Sequence, residues 1–584
     1  MNGIRNIFRS KYWWIVLLVL LFGVNFIASS FHSRIDLTKE KRYTLSRATK
    51  DMVSSLDDNV QIDVFLKGDY PSGFKKLANS TDDFLQLLKD RNSSKIHYRF
   101  ISPKDEMPGS NGIKYGDSLV NLGVSPINLT VQLKEGQQQN YVFPVALMHY
   151  KGKQELINLY KGSNRIISQN EINEAEALLE YDFLSALDRL KNNEKPVVAY
   201  ALGNGEPQDI RTYDMQQILR ENYNFFTFDL TKIPVISPDI NALIITKPSR
   251  QFSEEEKLKL DQYVMHGGKL LCFIDNLFAE PDSLAFKPQT IAFDRNLNLT
   301  DLFFHYGARI NTDLVMDLQC EAIPFVVGGS ADNPQQEFLS WNYYPLFGSE
   351  NNHPINKNIG LVGGRFVNSM DTIKTEGIKK TILLASSANS RTIGTPALIS
   401  LNENRNAPQD EMFNKTGIPV AVLLEGNFSS LYKFRVTAAQ KDTLAKYNTP
   451  FLESSGDGKV IVVADGDMVL NEVVPSNGPG SQPVPLLMGW NKFSYMAYEQ
   501  QSEDGRYFIP VSNRDFFQNC LEYLLTNPSI IATRNKNIVL RLLDTKKVQQ
   551  EKTTWQFINI ALPVLLIILA GFIYQQIRRR KYTA

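Results

Sequence analysis

The chain has 584 residues, 43% of them hydrophobic and 21% charged, with a formal net charge of +1. That length holds three or four domains of ~150 residues, and a near-neutral balance provides no basic face of the kind nucleic acid requires. Cys272, Cys320 and Cys520 are odd in number and far apart, so they form neither a disulfide framework nor a zinc spacing.

In chain order, a short basic segment (residues 1–11, with Arg5, Arg9 and Lys11) precedes an uncharged apolar run over residues 12–31. Twenty residues at ~1.5 Å each span ~30 Å, so this run is expected to be a transmembrane helix. An uncleaved anchor is the preferred reading. A cleavable signal ending near Ala28-Ser29-Ser30 is the alternative, and either one exports the middle of the chain.

Val60, Ile62, Val64 and Leu66 alternate as a half-buried strand, a helical stripe runs over residues 73–90, and Ile96, Tyr98 and Phe100 alternate again. After a Gly/Pro-rich connection (103–126) come candidate strands at 127–133, 141–149 and 154–159, then a long helix carrying Ile172, Leu179, Phe183 and Leu190. This order predicts a thioredoxin-like α/β domain over 32–192. No Cys-x-x-Cys occurs, so it reads as a scaffold or docking module rather than an oxidoreductase.

From Lys195, PVVAYAL is a continuous apolar run of the kind buried on both faces. A helix around Tyr213–Glu221 comes next, then strand, helix and strand through LLCFID, with Ser253 and Glu256 as a capping box. Further strands are expected at 381–385, 419–424 and 459–464, and a helix at 515–525. The alternation predicts a doubly wound, Rossmann-like sheet over 193–535, interrupted by an irregular Asn/Pro-rich insertion at about 277–415. A juxtamembrane linker (536–556), a second apolar run (557–574) with Pro563 inside it, and a basic tail (575–584, with Arg578 to Lys581) close the chain. The basic flanks of both runs place both termini in the cytoplasm and residues about 32–556 on the other side of the membrane, which the family resemblance given below would make the periplasmic side of the inner membrane.

Candidate chemistry is sparse. Gly203-Asn204-Gly205-Glu206 lies after a buried strand, where a phosphate turn would sit, but Gln208 breaks the G-x-G-x-x-G spacing. Asp465-Gly466-Asp467 ends the strand VIVVA at the edge where ligands bind in such folds. These two carboxylates could hold a divalent cation, although a plain strand-ending turn is the simpler reading and no metal is assigned. Cys272 lies mid-strand and reads as a core residue, and no P-loop is present, so neither a catalytic residue nor a cofactor is assigned. Gly23, Asn25 and Ala28 in the first apolar run, and Ala570 and Gly571 in the second, are the points where a partner helix could approach closely.

The segment RIDLTKEKRYTLSRATKDMV, the GNGEP turn, VVADGDMV, NRDFFQNCLEYLL and the C-terminal run with its basic tail together resemble the GldG family across the whole chain. That family comprises auxiliary, substrate-binding-type subunits of gliding-motility-associated ABC transporters in the Bacteroidetes. The most specific part lies around Asp36-Leu37-Thr38 and Tyr43-Thr44-Leu45-Ser46. The resemblance implies a separate permease and, through it, a cytoplasmic ATPase as partners. It also implies a partial likeness to class I amidotransferase-like domains without their cysteine elbow. An envelope hydrolase using Glu206, Asp465 and Asp467 is the alternative reading.

Overall fold

The computed structural model describes Leu18, Leu21–Gly23 and residues 44–582, apart from 110–111, 125, 134–135, 161–168, 193, 281–283, 285–286, 288, 331–332, 350, 352, 358, 402–409, 476–481, 494–510 and 536–544. Residues 1–536 and 537–584 form two units.

In the first unit, Ser46 caps α1 (Arg47–Ser54) by accepting from Thr49 N–H. Then come β1 (Val60–Val64), α2 (Ser72–Arg91), β2 (Ile96–Phe100), α3 (Tyr115–Asn121), β3 (Ile127–Leu133), β4 (Gly136–Val142), β5 (Val145–Tyr150), β6 (Lys153–Asn158) and α4 (Gln169–Lys191). Strands order as β2-β1-β5-β6, parallel between β1 and β2 and antiparallel elsewhere. Phe74, Leu77 and Leu85 of α2 and Leu179, Phe183 and Leu187 of α4 close one core with Val60, Ile62 and Val64. Two expectations need correction. The connection at 103–126 contains α3, and the single strand expected at 141–149 is two. Pro144, which has no N–H to continue a ladder, separates β4, paired with β3, from β5 in the main sheet.

Next come β7 (Val197–Leu202), α5 (Tyr213–Asn222), β8 (Asn224–Asp229), β9 (Ala242–Thr246), α6 (Glu254–Met265) and β10 (Lys269–Phe273). Residues 277–400 hold β11 (Leu277–Phe278), β12 (Gln289–Asp294), α7 (Thr300–Tyr306), β13 (Ala308–Ile310), β14 (Asp313–Asp317), β15 (Cys320–Ser330), β16 (Asn333–Phe347), β17 (Val362–Gly363), β18 (Met370–Thr372), β19 (Ile378–Ala385), β20 (Ser390–Gly394) and β21 (Ala397–Ser400). The unit ends with β22 (Pro419–Ser429), α8 (Ala438–Lys446), β23 (Ser454–Val463), β24 (Val473–Val474), β25 (Val484–Pro485), α9 (Asn513–Leu525) and α10 (Pro528–Ile531).

The central sheet runs β19-β22-β23-β10-β9-β7-β8. It is parallel from β23 to β8, and β22 and β19 extend it antiparallel. Alternate residues of each inner strand enter different cores. Ala199, Ile245 and Cys272 face Leu258 and Val264 of α6. Tyr200, Ile244 and Phe273 face Met215 of α5 and Phe516 and Leu521 of α9. Such strands must be apolar throughout, which is what PVVAYAL and LLCF show. The region expected to be irregular is instead rich in short strands, among them the β15–β16 hairpin and the three-stranded sheet β11-β12-β21.

In the second unit, α11 (Thr545–Tyr582) is one continuous helix with Pro563 inside it. Its stretch Thr554–Arg580 is long and apolar enough to cross a membrane. The N-terminal apolar run lies outside the described residues, except for Leu18 and Leu21–Gly23, which are helical and exposed.

Candidate functional site

Because β7, β9, β10 and β23 are parallel, their carboxyl ends lie along one edge of the sheet. At that edge the chain places Asn204 and Glu206 after β7, Lys247 after β9, Asp275 after β10, and Asp465 and Asp467 after β23. Carboxylate oxygens of Asp275, Asp465 and Asp467 all lie within 4.8 Å of one another. The Lys247 ammonium enters this group, 2.5 Å from Asp467 Oδ1, 3.3 Å from Asp275 Oδ2 and 2.9 Å from Glu280 Oε2. It therefore puts one positive charge among the carboxylates, in the space a cation would use.

Backbone groups hold the cluster in place. Asp465 is fully buried, its Oδ1 accepting from Asp467 N–H at 2.8 Å and its Oδ2 from Arg365 N–H at 2.9 Å. Asp275 accepts from Gly466 N–H. Lys247 has φ of +45°, uncommon for a non-glycine residue, while its N–H still donates to Phe273 O across the sheet. Gly466 is required by close approach, because a Cβ there would lie 2.7 Å from that of Lys247. Outward from the cluster, Glu280 pairs with Arg295, and Arg365 pairs with Glu472 while lying 5.3 Å over the Tyr344 ring.

The electrostatics arise from burial. Burial pushes the Asp275 carboxyl up to about 6 against the pull of Lys247, with Asp467 adding to the rise. Burial, then Asp275 and Asp467, raises Asp465 well above the carboxylate range. Burial disfavours the charged Lys247, but Asp275, Asp467 and Glu280 outweigh it and hold the ammonium charged. The arrangement is a buried ion lock joining three strand ends to the insertion.

The β7 turn is separate in its contacts. Gly203 and Gly205 take φ of +118° and +83°, and a Cβ on Gly205 would lie 2.1 Å from Ser249 Oγ. Asn204 N–H donates to Glu206 Oε2 at 2.8 Å, and Asn204 Nδ2 donates to Glu256 Oε2 at 3.0 Å. Burial, with Asp229 and Glu256 adding, pushes Glu206 up to about 7. Glu206 stands three strand positions from Asp465 and Asp467, roughly 14 Å at ~4.8 Å per strand. The two motifs share the β9 loop: Lys247 serves the lock, and the Ser249 and Arg250 N–H groups donate to Asn204 O.

Of the residues singled out in the sequence, Asp465 and Asp467 thus meet each other, and Glu206 stands apart from them. Lys247, Asp275 and Glu280 were missed, although IITKP and LLCFID each mark a strand end. Cys272 is buried mid-strand in the core, where burial pushes its thiol up. Gly23, Ala570 and Gly571 are exposed, with open space beside Gly23 and Gly571, while Asn25 and Ala28 lie outside the described residues.

A family model described as an ABC-type uncharacterized transport system matches residues 195–520, which contain the whole site. A domain of unknown function, DUF7088, matches residues 39–149. An uncharacterized protein of Borreliella burgdorferi is 24% identical over 415 residues, 68% of this chain and 74% of that protein. Among solved structures, the mmIFT52 N-terminal domain aligns with 57% of this chain and 98% of its own, at 13% identity and a TM-score of 0.29. The exo-beta-1,4-mannosidase Op5Man5 of an Opitutaceae bacterium aligns with 50% of this chain and 35% of its own, at 13% identity and a TM-score of 0.18. Neither structural likeness is close enough to carry an argument.

Proposed function

The chain belongs to this ABC-type transport system family, and from that premise we propose that it is a membrane-anchored auxiliary subunit without ATPase activity of its own. It works with a separate multi-span permease and, through it, a cytoplasmic ATPase. The observation that carries this reading is a transport-system match over a chain that has no P-loop and, in its described residues, one candidate membrane helix. One or two helices cannot enclose a translocation path, so transport requires other chains.

The finer placement, among GldG-type subunits of gliding-motility-associated transporters in the Bacteroidetes, rests on the resemblance around Asp36–Thr38 and Tyr43–Ser46. Residues 32–192 are read as a thioredoxin-like scaffold and 193–535 as a Rossmann-like, amidotransferase-like domain with its insertion. Both termini are read as cytoplasmic, from Arg5, Arg9 and Lys11 at one end and Arg578 to Lys581 at the other. The sheet-edge residues Gly203, Asn204, Gly205, Glu206, Asp465 and Asp467 are proposed as the part of the exported domain that responds to a ligand or partner. A hydrolase is not favoured, because Asp465 is fully buried with both oxygens on backbone N–H groups.

The test is ATP turnover measured twice. The chain purified alone hydrolyses no ATP, and the material isolated through it from native membranes does. Sustained turnover by the clean chain would overturn the auxiliary reading.

A further inference from the structure

Glu206 is a carboxyl group enclosed without a counter-charge. It is 7% exposed, and its Oε2 accepts from Asn204 N–H at 2.8 Å. Its Oε1 is fully buried and has no hydrogen-bond partner among the described residues. Each neighbouring element adds negative charge or none. Asp229 at the end of β8 and Glu256 in the first turn of α6 both act on Glu206 as like charges. Tyr200 of β7 faces it as a neutral phenol whose O–H donates to Pro207 O. The cations of these elements are engaged elsewhere: Lys232 pairs with Asp229 at 2.8 Å, Arg211 with Asp209 at 2.7 Å, and Lys259 donates to Leu230 O at 2.9 Å. Arg250 of the β9 loop is exposed and pairs with no carboxylate among the described residues. A buried carboxylate with one oxygen unpaired is costly, whereas a neutral carboxyl carries an O–H that can donate. The enclosure therefore fits the neutral form, and burial pushes this carboxyl up to about 7.

What Glu206 supports is a bridge between two loops. Asn204 O accepts from Ser249 and Arg250 N–H at 2.9 and 2.8 Å, and Asn204 Nδ2 donates to Glu256 Oε2 at 3.0 Å. Asn204 thus ties the β9 loop and the start of α6 to the β7 turn. The sheet reverses its direction of growth at this place, because β8 is added on one side of β7 and β9, β10 and β23 on the other. The helices α5 and α6 leave β7 and β9 on opposite faces, so the two loops diverge where Asn204 joins them.

We propose that the β7 turn is a proton-operated latch: neutral Glu206 keeps Asn204 tying the β9 loop down, and ionised Glu206 frees that loop. An ionised carboxylate has a short route to water, since Gly205 is half-buried and Gln208 and Asp209 beyond it are exposed. Leaving the enclosure breaks its bond to Asn204 N–H, and Gly203 and Gly205, both at positive φ, bracket the residue that must then move. The freed loop begins at Lys247, so its release reaches the ion lock. The latch gives a trigger to the sheet edge, and it rests on the reading of that edge as the part of the chain that responds to a ligand or partner.

Hydrogen exchange of the full-length chain in detergent, corrected for the intrinsic pH dependence of exchange, reads such local opening. Between about pH 5.5 and about pH 8.5, the Asn204, Ser249 and Arg250 amides should lose protection about tenfold or more, while staying less protected than β10. Glu206→Gln, which keeps the neutral shape, should hold the low-pH protection at both values. Protection of the three wild-type amides that ignores pH overturns the latch, and so does exchange in step with β10, which reports global unfolding. An unaltered pH response in Glu206→Gln also overturns it, assigning the release to Asp275 or Asp465 of the ion lock. Should that variant fail to fold, the wild-type series alone still decides. In each of these cases the auxiliary-subunit reading stands, because ATP turnover tests it separately, and turnover by the clean chain would remove that reading whatever the exchange shows.

Discussion

Lys247 is the residue on which the sheet-edge site depends. Removing one partner of a buried ion pair leaves an uncompensated charge, so Lys247→Met should destabilise the protein by about 3–5 kcal/mol in urea unfolding. A loss under about 1 kcal/mol would mean that the ammonium is dispensable. Because the Lys247 ammonium already occupies the space among the carboxylates, millimolar Ca²⁺ or Mg²⁺ should leave the wild-type unfolding midpoint unchanged, and a rise of several degrees would show instead that Asp275, Asp465 and Asp467 hold a cation. Glu206 makes a different prediction. Its folded pKa of about 7 lies above the ordinary value of 4.5, so the unfolded chain releases this proton first as pH rises. Stability from this group is therefore full below about 4.5, falls between about 4.5 and 7, and stays lost above. Glu206→Gln should abolish that fall and gain on the order of 3 kcal/mol over wild type at pH 8, with no gain at pH 4.5. A loss that appears only above about pH 7 would show instead that the carboxylate is needed charged. Only part of this site was legible in the sequence. Asp465 and Asp467 stand out as a pair ending an apolar strand, but Lys247 and Asp275 reach them only through strand order, which no local spacing records.

At the scale of elements, the capping box that opens α6 was readable from Ser253 and Glu256 and is formed in both directions. Glu256 Oε2 also accepts from Asn204, so the cap is tied to the β7 turn. Ser253→Ala should cost about 1 kcal/mol and Glu256→Ala clearly more, because the second also frees a buried Asn204 amide. Equal losses would separate the helix cap from the turn. The parallel strands were legible because residues buried on both faces leave continuous apolar runs. β11, β12 and β21 were not, since each is short and set among Asn- and Pro-rich loops where neither period has room to show. β8 was missed for a related reason: NFFTFD lies at the sheet edge, with no residue of it fully buried, and reads equally well as the end of α5.

For the whole molecule, the basic flanks predict topology. A reporter active only outside the cytoplasm should work when inserted near Asn477 and fail when fused after Ala584. Activity of the Ala584 fusion would place the basic tail outside and contradict two membrane crossings. What this chain assembles with was legible from its own residues only as a need, from the missing P-loop and the scarcity of apolar runs, whereas the permease and ATPase were implied by the family resemblance alone. The most direct measurement of the central claim is the native mass of the assembly isolated through this chain from its own membranes, with its subunits identified by their peptides. The account predicts a mass that includes this chain, a multi-span permease and a P-loop ATPase. A mass equal to this chain alone, or to copies of it only, would contradict it.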